Sequence, residues 1–124
     1  MPGFLYRSAD GLTNFEVRKK WLFDTNIRHS TVHLSGNQLS VFYTKVGDQP
    51  ERMLHLSVDV SDPNWNNWKA SQAQEILRPT QPWEGAALPA APSLRGEARS
   101  PVNQLRDPFI FEEEGNVYLL YVGA

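Results

Sequence analysis

Three short clusters in this 124-residue chain carry residue types suited to chemistry. The first is Arg106-Asp107-Pro108, with Asn103 and Gln104 just before it. A guanidinium beside a carboxylate keeps it ionised and orients it. The proline biases Asp107 toward an extended backbone, as at the start of a strand. Asn103 and Gln104 offer amide groups to hydroxyls. The second cluster is Arg28-His29-Ser30, whose arginine and histidine could bond hydroxyls or a carboxylate. The third is Trp83-Glu84-Gly85. An indole face can stack on a sugar ring, and a carboxyl beside it can serve as an acid or a hydrogen-bond partner. Each cluster has a plain structural reading as well. Asp-Pro often simply begins a strand, Arg28 and His29 could lie solvated at a sheet end, and Trp83 could pin a loop with Glu84 in solvent. Asp24 is a weaker carboxylate candidate.

Other chemistries find less support. The chain has no cysteine, which removes disulfides and thiolate catalysis. His33 and His55 fall on strands, and no pair of histidines has metal-ligand spacing with a third ligand nearby. No phosphate-cradling glycine loop and no Gly-x-Ser-x-Gly elbow is present, so neither metal nor cofactor is expected. A formal charge of −2 gives no electrostatic footprint for nucleic acid or an anionic membrane. No apolar run approaches the ~18 residues of a spanning helix. The opening MPGFLYRSADG lacks the basic and apolar regions of a secretory signal, so a cytoplasmic location is the expectation.

These residues need elements to position them. Gly and Pro are frequent and cluster between apolar runs, which favours short strands and turns over long helices. Residues 4–17 hold β-like pieces around the turn dipeptide Asp10-Gly11. Val32 and Leu34 alternate with Thr31 and His33; Gly36-Asn37 turns the chain; Leu39, Val41 and Tyr43 return. That is a hairpin by period and turn chemistry. Residues 52–61 alternate again. Residues 62–77 read as a turn feeding an outer strand, with Trp65 and Trp68 as packing residues. Residues 78–101 hold five Pro and two Gly and read as a long loop. A closing hairpin, 105–123, turns at Glu114-Gly115-Asn116. Aligning Gly36-Asn37 with Gly115-Asn116 superposes the two hairpins at an offset of 79, with Arg28 one residue out of step with Arg106. A repeated all-β unit of this kind suggests propeller blades.

The stretch LRDPFIFEEEGNVYLLYVGA, with RHS at the head of the earlier hairpin, resembles the five-bladed β-propeller glycoside hydrolases of the arabinanase/xylosidase and invertase/levansucrase types. SADGLTNFE is similar to their Ser-x-Asp-Gly-x-x-x-Phe outer-strand signature, and DPNWNNW to a blade-edge turn. The resemblance implies an all-β partial propeller of antiparallel four-stranded blades in one domain, 1–124. Residues 4–17 would be the outer strand of one blade and 28–77 a complete blade. Residues 78–104 would be a connector and 105–124 the first half of the next blade. It also implies catalytic carboxylates projecting from innermost strands of different blades. Only the Asp of Arg-Asp-Pro, which fixes the sugar and tunes the acid, maps cleanly, onto Asp107.

The resulting expectation is a glycoside hydrolase-like fragment acting on carbohydrate by carboxylate acid/base catalysis once a funnel is complete. Asp107 would position and tune, and Glu84 is the candidate acid. Arg28, His29 and Arg106 would hold hydroxyls, helped by Trp83, Asn103 and Gln104. Unpaired strand edges would favour a homo-oligomer. The alternatives are a non-catalytic sugar-binding or self-assembling module and, further off, a small β-sandwich.

Overall fold

The computed structural model describes residues 3–123. All its regular elements are short antiparallel strands, apart from two single 3-10 turns. Strands β1 (Tyr6–Arg7) and β2 (Glu16–Val17) pair with each other. Residues 4–17 are therefore a narrow two-strand ribbon, its strands the two β-like pieces either side of Asp10-Gly11. Asp10 accounts for this: its carboxylate accepts from the Leu12 and Thr13 amides, each at 2.8 Å, and so folds the chain back.

The main sheet is a four-stranded meander of β3 (Ile27–Ser35), β4 (Gln38–Lys45), β5 (Met53–Asp59) and β6 (Gln74–Leu77). Its register explains the core. Leu39 lies opposite Val58, Val41 opposite Leu56 and Tyr43 opposite Leu54, so alternate residues of both strands share one face. Ile27 joins them, and Leu22, Phe23, Val60, Trp68 and Ala70 pack over that face. Fully burying a side chain of this size contributes about 1.5–3 kcal/mol. The segment after β2 is fastened by Arg18, a buried residue whose guanidinium donates to the carbonyls of Trp65 (2.9 Å), Lys20 (2.6 Å), Asn66 (3.1 Å) and Trp68 (3.0 Å). These anchor the 3-10 turn Trp65–Asn67 that leads to β6.

A second sheet, β7 (Leu105–Glu113) with β8 (Asn116–Gly123), has two strands only. Glu114 (φ 50°) and Gly115 (φ 79°) form its two-residue turn, both in the left-handed region that suits twisted antiparallel strands. The hairpin is tied to the meander by its start, where the Leu105 amide donates to the Glu51 carbonyl at 2.9 Å. It is tied at mid-length too: the Ile110 amide meets Thr31 Oγ1 at 3.3 Å, and Glu112 meets His33 at 2.5 Å. Among the described residues no sheet closes on itself, and no helix is long and apolar enough to cross a membrane.

The Pro-rich connector is ordered by the β4–β5 loop. Ser93 is buried, its amide donates to the Asp48 carbonyl (3.0 Å), and the Gly47 amide donates to the Ser93 carbonyl (3.1 Å). Gln49 Nε2 donates to Ala90 O at 2.8 Å.

Candidate functional site

The two hairpins repeat at a spacing of 78 residues. Ile27 and Leu105 open β3 and β7 at that interval, as Gln38 and Asn116 open β4 and β8. The offset of 79 is corrected because the second turn is centred on Glu114-Gly115, not Gly115-Asn116. The corrected spacing sets Arg28 on Arg106 and His29 on Asp107 with no slip. Both strands carry a bulge at this point, one between Arg28 and Thr31, the other between Arg106 and Phe109. His29 (φ 43°) and Asp107 (φ 50°) take the left-handed conformation there, so the bulge overrides the extended backbone expected of Asp107 before Pro108. Such a backbone is uncommon for residues other than glycine and gathers at functional sites.

Glu51 joins the two entrances. Arg28 grips its carboxylate with two bonds, Nε to Oε1 at 2.9 Å and Nη2 to Oε2 at 2.7 Å. Arg106 Nε approaches Oε2 at 3.5 Å and bonds Gln104 Oε1 at 2.9 Å. The outer nitrogens of the guanidiniums end on the connector, Arg28 on Leu94 O (2.9 Å) and Arg106 on Gly96 O (3.1 Å). Glu51 is fully buried, and both arginine side chains are nearly so. Their donors are thus largely committed within the protein, so Arg28, Arg106 and Gln104 build the site rather than face a ligand.

His29 and Asp107 are what this frame presents. Asp107 is 58% exposed and His29 28%, with 3.5 Å between His29 Nε2 and Asp107 Oδ1. His29 Nδ1 is buried, 3.9 Å from Glu51, and has no hydrogen-bond partner among the described residues. Burial pushes the imidazole below its ordinary range; Asp107 and Glu51 pull it up, and Arg28 and Arg106 reinforce the fall. The ring is therefore neutral at pH 7 and offers solvent either a donor or an acceptor.

The other candidates lie apart from this pair. Glu84 is buried, accepting from the Thr80 amide (2.7 Å), the Gln81 amide (2.8 Å) and the Tyr121 hydroxyl (2.6 Å). Burial alone would raise its pKa, but these bonds outweigh it and hold the carboxyl below its usual value. A general acid needs the reverse, so Glu84 serves as an anchor for the 3-10 turn Pro82–Glu84. The Tyr121 hydroxyl is correspondingly pushed up to about 12, by its bond to Glu84 and then by burial. Trp83 stacks on Tyr121 at 5.9 Å and covers Gly123, where an added Cβ would meet the indole at 3.0 Å. Asn103 turns inward to Leu88 O (2.9 Å). Asp24 is paired with Lys45 at 2.7 Å. His55 packs on Phe42.

Sequence reasoning missed Glu51. It stands alone between Pro50 and an apolar strand, and no motif marks it. Two arginines at equivalent strand entrances were the available signal, since a pair of withdrawn guanidiniums calls for a carboxylate.

No family model matches the chain, and no solved structure matches it. It is 39% identical over 137 aligned residues to an uncharacterized protein of Acanthamoeba polyphaga mimivirus, an alignment covering 98% of this chain and 38% of that protein. The chain thus spans about 38% of the length of this relative.

Proposed function

We propose that this chain is a carbohydrate-contacting sector of a glycoside hydrolase-like propeller, with β3–β6 as one blade and β7–β8 as the first half of the next. The observation that carries this reading is the convergence of two equivalent strand entrances on Glu51, which leaves Asp107 and His29 together and open to solvent. Asp107, an accessible carboxylate beside a neutral imidazole, accepts hydrogen bonds from sugar hydroxyls, and His29 supplies a second polar contact. That is the positioning role the Arg-Asp-Pro resemblance implies. Hydrolysis needs two carboxyl groups flanking the bond. Glu51 is clamped and Glu84 is an anchor, so the acid and base of a working funnel come from other blades. By itself the chain binds sugar rather than cleaving it.

The test is titration of the chain with a panel of pentose and hexose oligosaccharides, followed by amide chemical shifts. Binding should perturb the resonances around residues 28–30 and 106–108, and Asp107→Asn should weaken it at least tenfold. Absence of any perturbation across the panel, or equal affinity in Asp107→Asn, would overturn the proposal.

A further inference from the structure

The uncovered face of the second hairpin has a partner defined by the repeat itself. Phe109, Phe111, Tyr118, Leu120 and Val122 all expose between 43% and 59% of their surface. Register places Phe109 opposite Leu120 and Phe111 opposite Tyr118, so they form one apolar sheet face. Contiguous exposed apolar surface of this kind marks an interaction site.

At the 78-residue spacing, Phe109 and Phe111 are the equivalents of Thr31 and His33. Those two residues are already covered within the chain: Thr31 Oγ1 receives the Ile110 amide, and His33 bonds Glu112. The hairpin-on-hairpin contact is thus Thr31 and His33 beneath Ile110 and Glu112. If the same contact is made once more, Phe109 and Phe111 take the lower position. The upper position then falls to the residues 78 before Ile110 and Glu112, which are Val32 and Leu34 of another chain. Val32 and Leu34 are themselves 54% and 60% exposed, large apolar residues left bare on β3. The contact inside one chain is polar, made by the main-chain amide of Ile110 and the side chain of Glu112; the four equivalent positions between chains all hold large exposed apolar residues.

We infer that a second copy of this chain seats Val32 and Leu34 of its β3 on Phe109 and Phe111 of the first, head to tail. The inference rests on reading the two hairpins as successive blades. It is independent of any sugar, so its test reads mass rather than ligand. The two surfaces differ, and such a heterologous contact closes into a ring or runs on as a chain of copies. This contact is face to face, and it needs no pairing at the open edge of β8.

Sedimentation of the full chain over a hundredfold concentration range should show species heavier than one chain. Leu34→Lys spoils only the head and Phe111→Lys only the tail. Each variant alone should sediment as a monomer, whereas an equimolar mixture should yield a one-to-one dimer that grows no further. Both positions are exposed, and far-UV circular dichroism confirms folding. Should either lysine variant unfold, Leu34→Ser and Phe111→Ser take its place. A wild-type chain that stays monomeric throughout overturns the inference. So does a Leu34→Lys chain that associates as the wild type does, which would point to a self-complementary face or to edge pairing at β8. Loss of sugar binding with mass behaviour intact would sink the functional proposal alone.

Discussion

The first hairpin, β3–β4, and the second, β7–β8, share an entrance and little else. Each has an arginine, then a left-handed residue in a bulge, and then alternation. Past the bulge they diverge. Leu39, Val41 and Tyr43 of the first are buried under Leu22, Phe23, Val60, Trp68 and Ala70, while their equivalents in β8, Val117, Leu119 and Tyr121, are half-buried or exposed. The entrance is fixed by one shared carboxylate and two connector carbonyls. The comparison teaches that the repeat is held in common at its strand entrances and varies along its strands.

The sharpest way to break that equivalence is Glu51→Gln. It leaves two withdrawn guanidiniums without a counter-charge, and uncompensated buried charge costs about 3–5 kcal/mol. Urea denaturation should show a loss of that order, and Arg28→Met in the same background should recover part of it. A loss below about 1 kcal/mol would mean that the two entrances are not coupled through Glu51.

Next comes the backbone. A β-branched residue at positive φ costs about 1–3 kcal/mol. His29→Val and Asp107→Val should therefore destabilise by similar amounts, while His29→Gly and Asp107→Gly should stay within about 1 kcal/mol of the parent. Unequal valine costs would show that only one bulge is strained.

Tyr121→Phe probes where the hairpins differ, since Tyr43 in the first has no such carboxylate partner. Removing the donor to buried Glu84 should cost about 1.5 kcal/mol at pH 7. Glu84 has a folded pKa below its unfolded value of about 4.5. Its contribution is complete above that pH and is lost as pH falls through the folded value. The difference between Tyr121→Phe and parent should therefore shrink in acid; a gap that holds constant all the way to the acid unfolding transition would remove Glu84 from the account.

The smallest effect belongs to His29. Its folded pKa is depressed, so the unfolded chain binds the proton first as pH falls below about 6.5. Stability should decline from there downward, and His29→Gln should flatten that slope. An identical pH profile in the variant would show that the ring is not held neutral.

Much of this was legible from local pattern. Alternation around Gly36-Asn37 located the first hairpin and the face that becomes the core, because strand period is a property of neighbours in sequence. The arginines marked both entrances for the same reason. Glu51 was invisible because its meaning is tertiary: nothing within a few residues of it hints at Arg28 or Arg106. Glu84 misled because Trp-Glu-Gly in a Pro-rich stretch looks solvent-facing until Tyr121, far along the chain, claims the carboxylate. The repeat is legible too, but centring the second turn one residue late, on Gly115-Asn116, shifts it by one position, enough to separate His29 from its counterpart Asp107.

The connector invites an engineering use. Its last hold on the arginines is the Gly96 carbonyl, and it is fastened again at Asn103. The five residues between Gly96 and Val102 are all exposed. A tag or a protease site placed between Glu97 and Ser100 should leave both guanidiniums seated, whereas the same insert a few positions earlier, between Ser93 and Gly96, would pull their carbonyl partners away.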